Sequence, residues 1–494
     1  MIDEAVRACR DRNPYVGPRP FRCGEALRGR EQDARGVTDM LISSRIVLLH
    51  SPSGAGKTSL IQASIIPSFE ARRFRICVQR EPYISALRIN EPPPGFPVRN
   101  RYVYSVVSGL VSHLAARPAD LATTSLVEAL AMLDDGPESG NHQLLVFDQL
   151  EEALTLDPTD HEGQREFFRQ VGEALDDDRR WGLLSMREDY MGGLDRFLKQ
   201  IPGRLRATYR LDFLTQQSAL RAIREPASER GVEVADDAAQ KLVDDLRTVM
   251  VEGRDKIPEP RLGPYVEPVL LQVVCDRLWR KSCEDSAGEL HTISVADLER
   301  LGQVNDALRR YYADAIREAA GGNRVTEHML RDWVADELVT KDGFRRQQRT
   351  GPRVQDPDGA LKTLQDRYLI RSEERAGARW WELSHDRLIE PLLDDNAPWR
   401  VKYLEPWQVA AANWHGNHED DSYLLRGEAL RQARRSQARN TATYIERRFI
   451  ERSQVRQAEE STLKKIVLRV NMLAAALGVS IVLNALLVIW LVRR

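Results

Sequence analysis

At 494 residues the chain is too long for one ordinary core, and its 72 Lys plus Arg against 74 Asp plus Glu give no global electrostatic pull toward nucleic acid or acidic substrates. Usual domain sizes lead to an expectation of about three to four domains. The five cysteines are odd in number and never spaced C-x-x-C, which argues against a disulfide framework or a structural zinc site and reads as core thiols in a reducing compartment.

The opening MIDEAVRACRDRNP carries charges and no apolar run, so it is neither a secretory signal nor an N-terminal anchor, and the bulk is expected in the cytoplasm. Residues 1–44 are rich in Arg, Pro and Gly. RIVLLH at 45–50 is then a short apolar run bounded by turn residues, the pattern of a buried strand. A glycine-containing loop follows, and KTSLIQASIIPSF has the apolar spacing of a helix that ends near Pro67. Further runs, QLLVFD at 143–148 and WGLLSM at 181–186, alternate with helical patterns and predict a parallel-sheet α/β core over 45–215. Residues 216–290 read as a helical lid. Residues 291–398 combine short helices with a hairpin in YLIRSEERAGARWWELSHD, which predicts a winged helix. Charged helices at 399–463 form a stalk.

The segment at 470–492, VNMLAAALGVSIVLNALLVIWLV, holds no charged residue and exceeds the about 20 residues needed to span a bilayer. It predicts one C-terminal transmembrane helix, single-pass in the inner membrane with the N-terminal bulk in the cytoplasm. Lys464, Lys465 and Arg469 precede it and Arg493 and Arg494 follow, so orientation rests on the cytoplasmic bulk. Asn471, Ser480 and Asn484 would supply hydrogen bonds between such helices in an oligomer.

The loop Ser51-Pro52-Ser53-Gly54-Ala55-Gly56-Lys57-Thr58 matches GxxxxGK[ST] except that Ser51 replaces the first Gly. Small residues let the backbone wrap phosphates and point N–H groups inward, whereas a plain glycine turn has no need of the Lys-Thr end. Lys57 would reach the β- and γ-phosphates of ATP or ADP, Thr58 would place its hydroxyl on Mg²⁺, and Ser59 belongs to the same segment at the positive end of the helix. Asp148 ends a strand and precedes Gln149, Leu150, Glu151 and Glu152, a Walker B pattern: Asp148 with Thr58 forms the metal pair, and Glu151 or Glu152 polarises the attacking water. Arg187 ends the third run, where it would contact the γ-phosphate, or else pair with Glu188 or Asp189. His415 and His418 in WHGNHED lack a full ligand set, and a solvated loop is the better reading.

With these residues in hand, the chain resembles the STAND NTPases, specifically the bacterial branch often fused to WD or tetratricopeptide repeats. The pieces that carry the resemblance are NPYVGPRPF at 13–21, Gly29-Arg30-Glu31, SPSGAGKTSLIQASIIP, LLVFDQLEEALTL, SMREDY and ELSHDRLIEPL. It implies that Gly29, Arg30 and Glu31 lie beside the adenine. It implies also that His385, in Ser384-His385-Asp386, touches the β-phosphate of ADP and locks a closed state. The family's Gly-x-Pro appears as Val266-Glu267-Pro268, which keeps Pro268 and loses the Gly. Gln149 stands where many relatives outside this branch have an acid, which points to slow hydrolysis.

The resemblance implies a signalling ATPase, an ADP/ATP-controlled switch that forms a homo-oligomer on activation, answers a trigger or effector protein, and serves antiphage defence or cell suicide. The alternative is a membrane-tethered nucleotide-binding scaffold with negligible hydrolysis. A transport ATPase is disfavoured because one membrane helix makes no translocation path and no LSGGQ-type signature occurs. Nucleic acid is disfavoured as a partner because the winged helix lacks a basic recognition helix.

Overall fold

The computed structural model describes residues 2–78, 87, 89, 98–111, 118–133, 142–157, 159–252, 258–301, 303–321, 326–340, 345–349, 358–375, 378–416, 419–437 and 444–492. The chain divides into two compact units, one of Met1–Glu318, Asp336–Thr350 and Leu361–Leu392, the other of Ala319–Ala335, Gly351–Ala360 and Leu393–Arg494.

The first unit is built on five strands, β1 (Ile46–Ser51), β2 (Arg75–Cys77), β3 (Gln143–Phe147), β4 (Arg180–Arg187) and β5 (Thr208–Arg210). They lie in the order β2-β3-β4-β1-β5 and every neighbouring pair is parallel. The three expected strands are all present. Their apolar runs are unbroken because both faces of the sheet are covered. Ile46, Leu48, Leu145, Phe147, Leu184 and Met186 pack on one side with Phe167, Phe168 and Val171 of the helix His161–Asp176. Val47, Leu49, Leu144, Val146 and Leu183 pack on the other with Val37 and Leu41 of the helix Glu31–Ser44 and with Leu60, Ile61 and Ile65. Each such side chain contributes about 1.5–3 kcal/mol on burial. The chain runs from β1 to the far edge at β2, returns through β3 and β4, and crosses β1 to finish at β5. A crevice therefore opens beyond the carboxyl end of β1.

The helix after β1 starts at Lys57 as expected but does not stop at Pro67. It widens to a π turn over Ile61–Ile65 and continues over Ile66–Glu70 with Pro67 in the first turn of that piece. In an unbroken α-helix Pro67 would supply no hydrogen to the carbonyl four residues back and its ring would press on it. The wider turn relieves that conflict.

The lid region has the helices Gln216–Glu229, Asp236–Arg247 and Pro268–Asp285. Between these helices lies an antiparallel ladder of Thr248–Glu252 with Pro258–Leu262, where β-branched Val249 and Val251 favour extended backbone and Pro258 and Pro260 have no N–H to give a helix. A second short ladder pairs Tyr265 with Thr215 and Val266 with Leu214. The hairpin appears as Ile370–Arg375 against Ala378–Leu383, in register from Ile370↔Leu383 to Arg375↔Ala378. Its turn residues 376 and 377 lie outside the described residues.

Not all the cysteines are thiols. Cys9, in the helix Ile2–Asp11, is bonded to Cys283, in the helix Pro268–Asp285, while Cys23, Cys77 and Cys275 are free. The partners are 274 residues apart in the chain, a pairing no spacing pattern discloses.

In the second unit Trp407, Ala411 and Trp414 pack with Leu424, Leu430, Phe449 and Ile450. The buried Arg331 guanidinium bonds to Asp395 at 2.6 Å and Asn396 at 2.7 Å. The last helix, Tyr444–Val492, is 49 residues long. Among the described residues no helix is long and apolar enough to cross a membrane, which corrects the expectation of a single-pass inner-membrane protein anchored at 470–492. Arg, Lys and Glu recur along this helix as far as Arg469, and the side chains described beyond it, at 470–473 and 476–479, are fewer than the about 20 apolar residues a span requires. The rest of that segment's side chains lie outside the described residues.

Gly172 sits in the helix His161–Asp176 with its α-carbon against backbone, and an added Cβ would overlap the carbonyl oxygen of Gln200. Gly172→Ala is expected to destabilise the first unit by about 1–3 kcal/mol or more, measured as a lowered midpoint in urea unfolding.

Candidate functional site

The crevice at the carboxyl end of β1 collects the predicted residues from four places in the chain. The phosphate loop leaves β1 at Ser51 and turns through two left-handed glycines, Gly54 at φ +79° and Gly56 at φ +95°, which a side chain would strain. The helix then begins at Lys57. Parallel pairing sets β3 beside β4 and β4 beside β1, with Ser51 opposite Arg187 and Phe147 opposite Leu184. Asp148 and Arg187 thereby arrive at the same edge as the loop.

Side-chain hydrogen bonds tie these pieces together. Thr58 donates to Asp148 Oδ2 at 2.6 Å and Ser185 donates to Asp148 Oδ1 at 2.8 Å. Lys57 Nζ donates to Ser51 Oγ at 2.7 Å, and that hydroxyl donates to the Pro52 carbonyl at 2.7 Å. Ser51 in place of a glycine therefore gives the lysine a resting partner. Ser59 Oγ accepts from the Phe21 amide at 3.2 Å. The Arg187 amide donates to Glu151 Oε2 at 3.2 Å, while its guanidinium reaches Asp189 at 2.6 Å and the Ser372 carbonyl at 3.3 Å. The ion pair with Asp189 and the position at the site thus coexist.

The electrostatics follow from burial. Burial pushes the Lys57 ammonium down, and Glu151 and Asp148 pull it back up. Burial pushes the Glu151 carboxyl up, with Lys57 opposing. Glu151 lines the cavity with Ser53, Gly54, Ala55, Gly56, Lys57, Thr58, Ser59, Asp148, Arg187 and Pro268; Glu152, which opens the short helix Glu152–Thr155, is not part of that lining. The crevice has about 1000 Å³ of empty space, part of it open to solvent. Thr58 and Asp148 offer hard oxygen donors side by side, a set that fits Mg²⁺ with water completing its shell. Among the described residues no group of three or more His, Cys, Asp or Glu side chains could hold a metal by themselves. His415 stands 3.9 Å from Glu419, and His418 lies outside the described residues.

The sequence profile described as Novel STAND NTPase 1 matches residues 14–392. The chain belongs to that family. No curated protein matches this STAND NTPase. Among solved structures it is similar to a Walker-type ATPase of Pyrococcus abyssi, 19% identical over 76% of this chain and 98% of that one with a TM-score of 0.38. It is similar also to the Aeropyrum pernix ORC2 protein in its ADPNP-ADP complexes, 16% identical over 79% and 97% with a TM-score of 0.39. A third is Drosophila ORC bound to DNA, 15% identical over 79% and 91% with a TM-score of 0.35.

Around the far end of this NTPase's cavity, Arg30 joins the lining and Gly29 and Glu31 do not. Gly29 has φ +81°, and a Cβ there would overlap the Ser218 carbonyl oxygen. Glu31 Oε1 accepts from the Gly29 amide at 3.2 Å. Arg30 is 6% exposed and donates to the Ala55 carbonyl at 2.7 Å and to Asp33 at 2.9 Å, so it braces the phosphate loop from behind. His385 is buried above Gly54, where an added Cβ would stand 3.3 Å from its Cε1. The lining also holds Phe21, which ends the NPYVGPRPF segment, and Leu27, Leu214, Ala222, Leu271 and Tyr368, which carry no motif and escape a reading by pattern. Gln149 has a backbone role that its sequence position did not disclose: its φ of +59° is unusual for a residue with a side chain and turns the chain sharply after Asp148.

Arg30→Ala removes both bonds and leaves the Ala55 carbonyl and Asp33 without this donor. It is expected to cost about 2–3 kcal/mol of stability, measured by urea unfolding, with a faster proteolytic cut in the loop.

Proposed function

We propose that this STAND NTPase is an ADP/ATP-controlled switch that hydrolyses ATP slowly and associates with further copies of itself when ATP replaces ADP. The observation that carries the reading is the convergence of Lys57, Thr58, Asp148, Glu151 and Arg187 on one crevice, beneath His385, which is packed over Gly54. Lys57 leaves Ser51 to take the β- and γ-phosphates, and the amides of 53–58 surround them. Thr58 and Asp148 hold Mg²⁺, which would supply charge neutralisation for the phosphates. Glu151 is the general base: it orients a water and accepts its proton, a role for which a carboxyl raised by burial is suited. Arg187 exchanges the Ser372 carbonyl for the γ-phosphate. Leu27, Leu214, Ala222 and Pro268 enclose the adenine, with Arg30 behind the loop.

Residues 291–398 are read as the winged helix that carries His385, with 216–290 as the lid. ADP bridging the loop and His385 keeps the closed arrangement, and ATP favours an open one only through its differential affinity for the two. A trigger or effector protein would act on this balance, and antiphage signalling is the setting the family resemblance supplies. Slow turnover agrees with Gln149, an amide where relatives outside this branch carry an acid.

Two experiments test the reading. Nucleotide released by denaturing the purified chain and identified by chromatography is expected to be ADP, absent from Lys57→Ala; an empty wild-type site that takes up neither nucleotide sinks the proposal. Glu151→Gln is expected to keep ATP binding while slowing turnover about 10²–10⁴-fold, whereas Glu152→Gln changes turnover little. The wild-type rate should rise with pH as the raised Glu151 carboxyl loses its proton, and the Gln variant should lose that rise. Signalling that survives Glu151→Gln unchanged would favour the scaffold reading, in which the nucleotide is structural.

A further inference from the structure

His385 follows the strand Ala378–Leu383 and is 3% exposed. Its two ring nitrogens have different surroundings. Nδ1 is in contact with Oε2 of Glu267, an oxygen that has no hydrogen-bond partner of its own, and Nε2 is likewise buried without one. The unpartnered side is turned to the phosphate loop, since a Cβ on Gly54 would stand 3.8 Å from Nε2. Glu267 is held in place on both sides: Val266 is paired with Leu214, and Pro268 starts the helix that Glu267 caps in extended backbone.

A carboxylate beside Nδ1 sets the tautomer. Nδ1 keeps its proton, and Nε2 then presents a lone pair. A lone pair cannot bond to a phosphate oxygen, so a phosphate at Nε2 requires a second proton on the ring. We propose that Glu267 is the positioning residue that makes His385 a proton-coupled latch for a nucleoside diphosphate: as the diphosphate settles on the loop, Nε2 takes one proton from solvent and the imidazolium bridges Glu267 and the phosphate. This rests on the nucleotide-switch reading and adds to it the partner, the tautomer and the proton.

Burial pushes the free ring down to about 3, so at neutral pH it is uncharged and has a proton to gain; the Glu267 carboxylate and an arriving phosphate both favour the charged form. Among the described residues, the charged groups on the surrounding elements besides Glu267 include Lys57 on the phosphate loop, Arg345, which donates to the Leu383 and Ser384 carbonyls and pairs with Glu382, and Arg387 on the same turn, paired with Glu390 and under the field of Asp245. The bound-state pKa is above the free one, so affinity is complete below the free value and is lost as pH rises through the bound value.

The test is calorimetric titration of the full chain with ADP at about pH 7.5 in two buffers of different ionisation enthalpy, which counts protons taken up. Wild type is expected to gain close to one proton per ADP, with affinity falling by up to roughly tenfold per pH unit. His385→Gln should lose that proton, which separates it from one taken by Lys57. Glu267→Gln should lose it too and bind ADP at least tenfold more weakly, while Glu267→Asp restores part of the uptake. ADP binding with no proton gained by wild type, or Glu267→Gln gaining the same proton at unchanged affinity, overturns the inference and leaves the switch intact. A wild-type chain that binds no ADP overturns both. Should Glu267→Gln fail to fold, the wild-type and His385→Gln proton counts still decide.

Discussion

A lysine ammonium held partly out of water is the feature on which the site depends. Burying a charge costs several kcal/mol unless other charges and hydrogen bonds answer it. Lys57 has Ser51 Oγ at 2.7 Å and the fields of Glu151 and Asp148. Those acids lie about ninety residues further along the chain, so the lysine is tolerable only where β3 and β4 run alongside β1 in the observed register. The strand order that brings them there also opens the crevice. Sheet topology and phosphate chemistry are therefore one problem with one solution.

The same constraint explains how polar and apolar residues divide along the strands. Val47, Leu48 and Leu49, like Leu144, Leu145 and Val146, are almost wholly buried and provide rigidity without polar demands. At the carboxyl ends Ser185 bonds to Asp148, Ser51 to Lys57 and backbone, and Arg187 to Asp189 and backbone, with its Nε left without a partner. Asp148 shows the economy of this arrangement, because its two oxygens take Thr58 from the loop and Ser185 from β4. Such a network fixes the geometry before any ligand arrives, which is what positioning chemistry requires.

Where function is packed into contiguous residues, the sequence was legible. RIVLLH, QLLVFD and WGLLSM announce strands buried on both faces, and SPSGAGKT announces the loop, because backbone geometry and phosphate binding restrict residue choice locally. The hairpin at 370–383 showed itself through two apolar runs on either side of a turn. What could not be read depends on contacts across the chain. Cys9 meets Cys283 only after folding. The choice between Glu151 and Glu152 rests on which one the turn at Gln149 directs into the cavity. The strands at 248–262 were hidden by the helical periodicity on either side. The apolar 470–492 segment shows the opposite failure, since composition alone invited a membrane span that no described helix provides.

The two walls of the crevice are held with unequal strength. On the core side, position follows from strand pairing and two layers of apolar packing. On the other side, the holds among the described residues include the Arg187 guanidinium on the Ser372 carbonyl at 3.3 Å, Arg30 on the Ala55 carbonyl, and His385 over Gly54. A single hydrogen bond to a charged group is worth about 1.5–3 kcal/mol net, while moving a two-state balance from 1:99 to 99:1 takes about 5.5 kcal/mol. Two or three charge-assisted bonds made to a nucleotide in one arrangement and absent in the other are enough. In the proposed switch the γ-phosphate would offer Arg187 a stronger partner than a backbone carbonyl, and the β-phosphate would offer His385 a partner that Nε2 lacks. A site built in this way can be rigid where phosphate is held and responsive where its state is read.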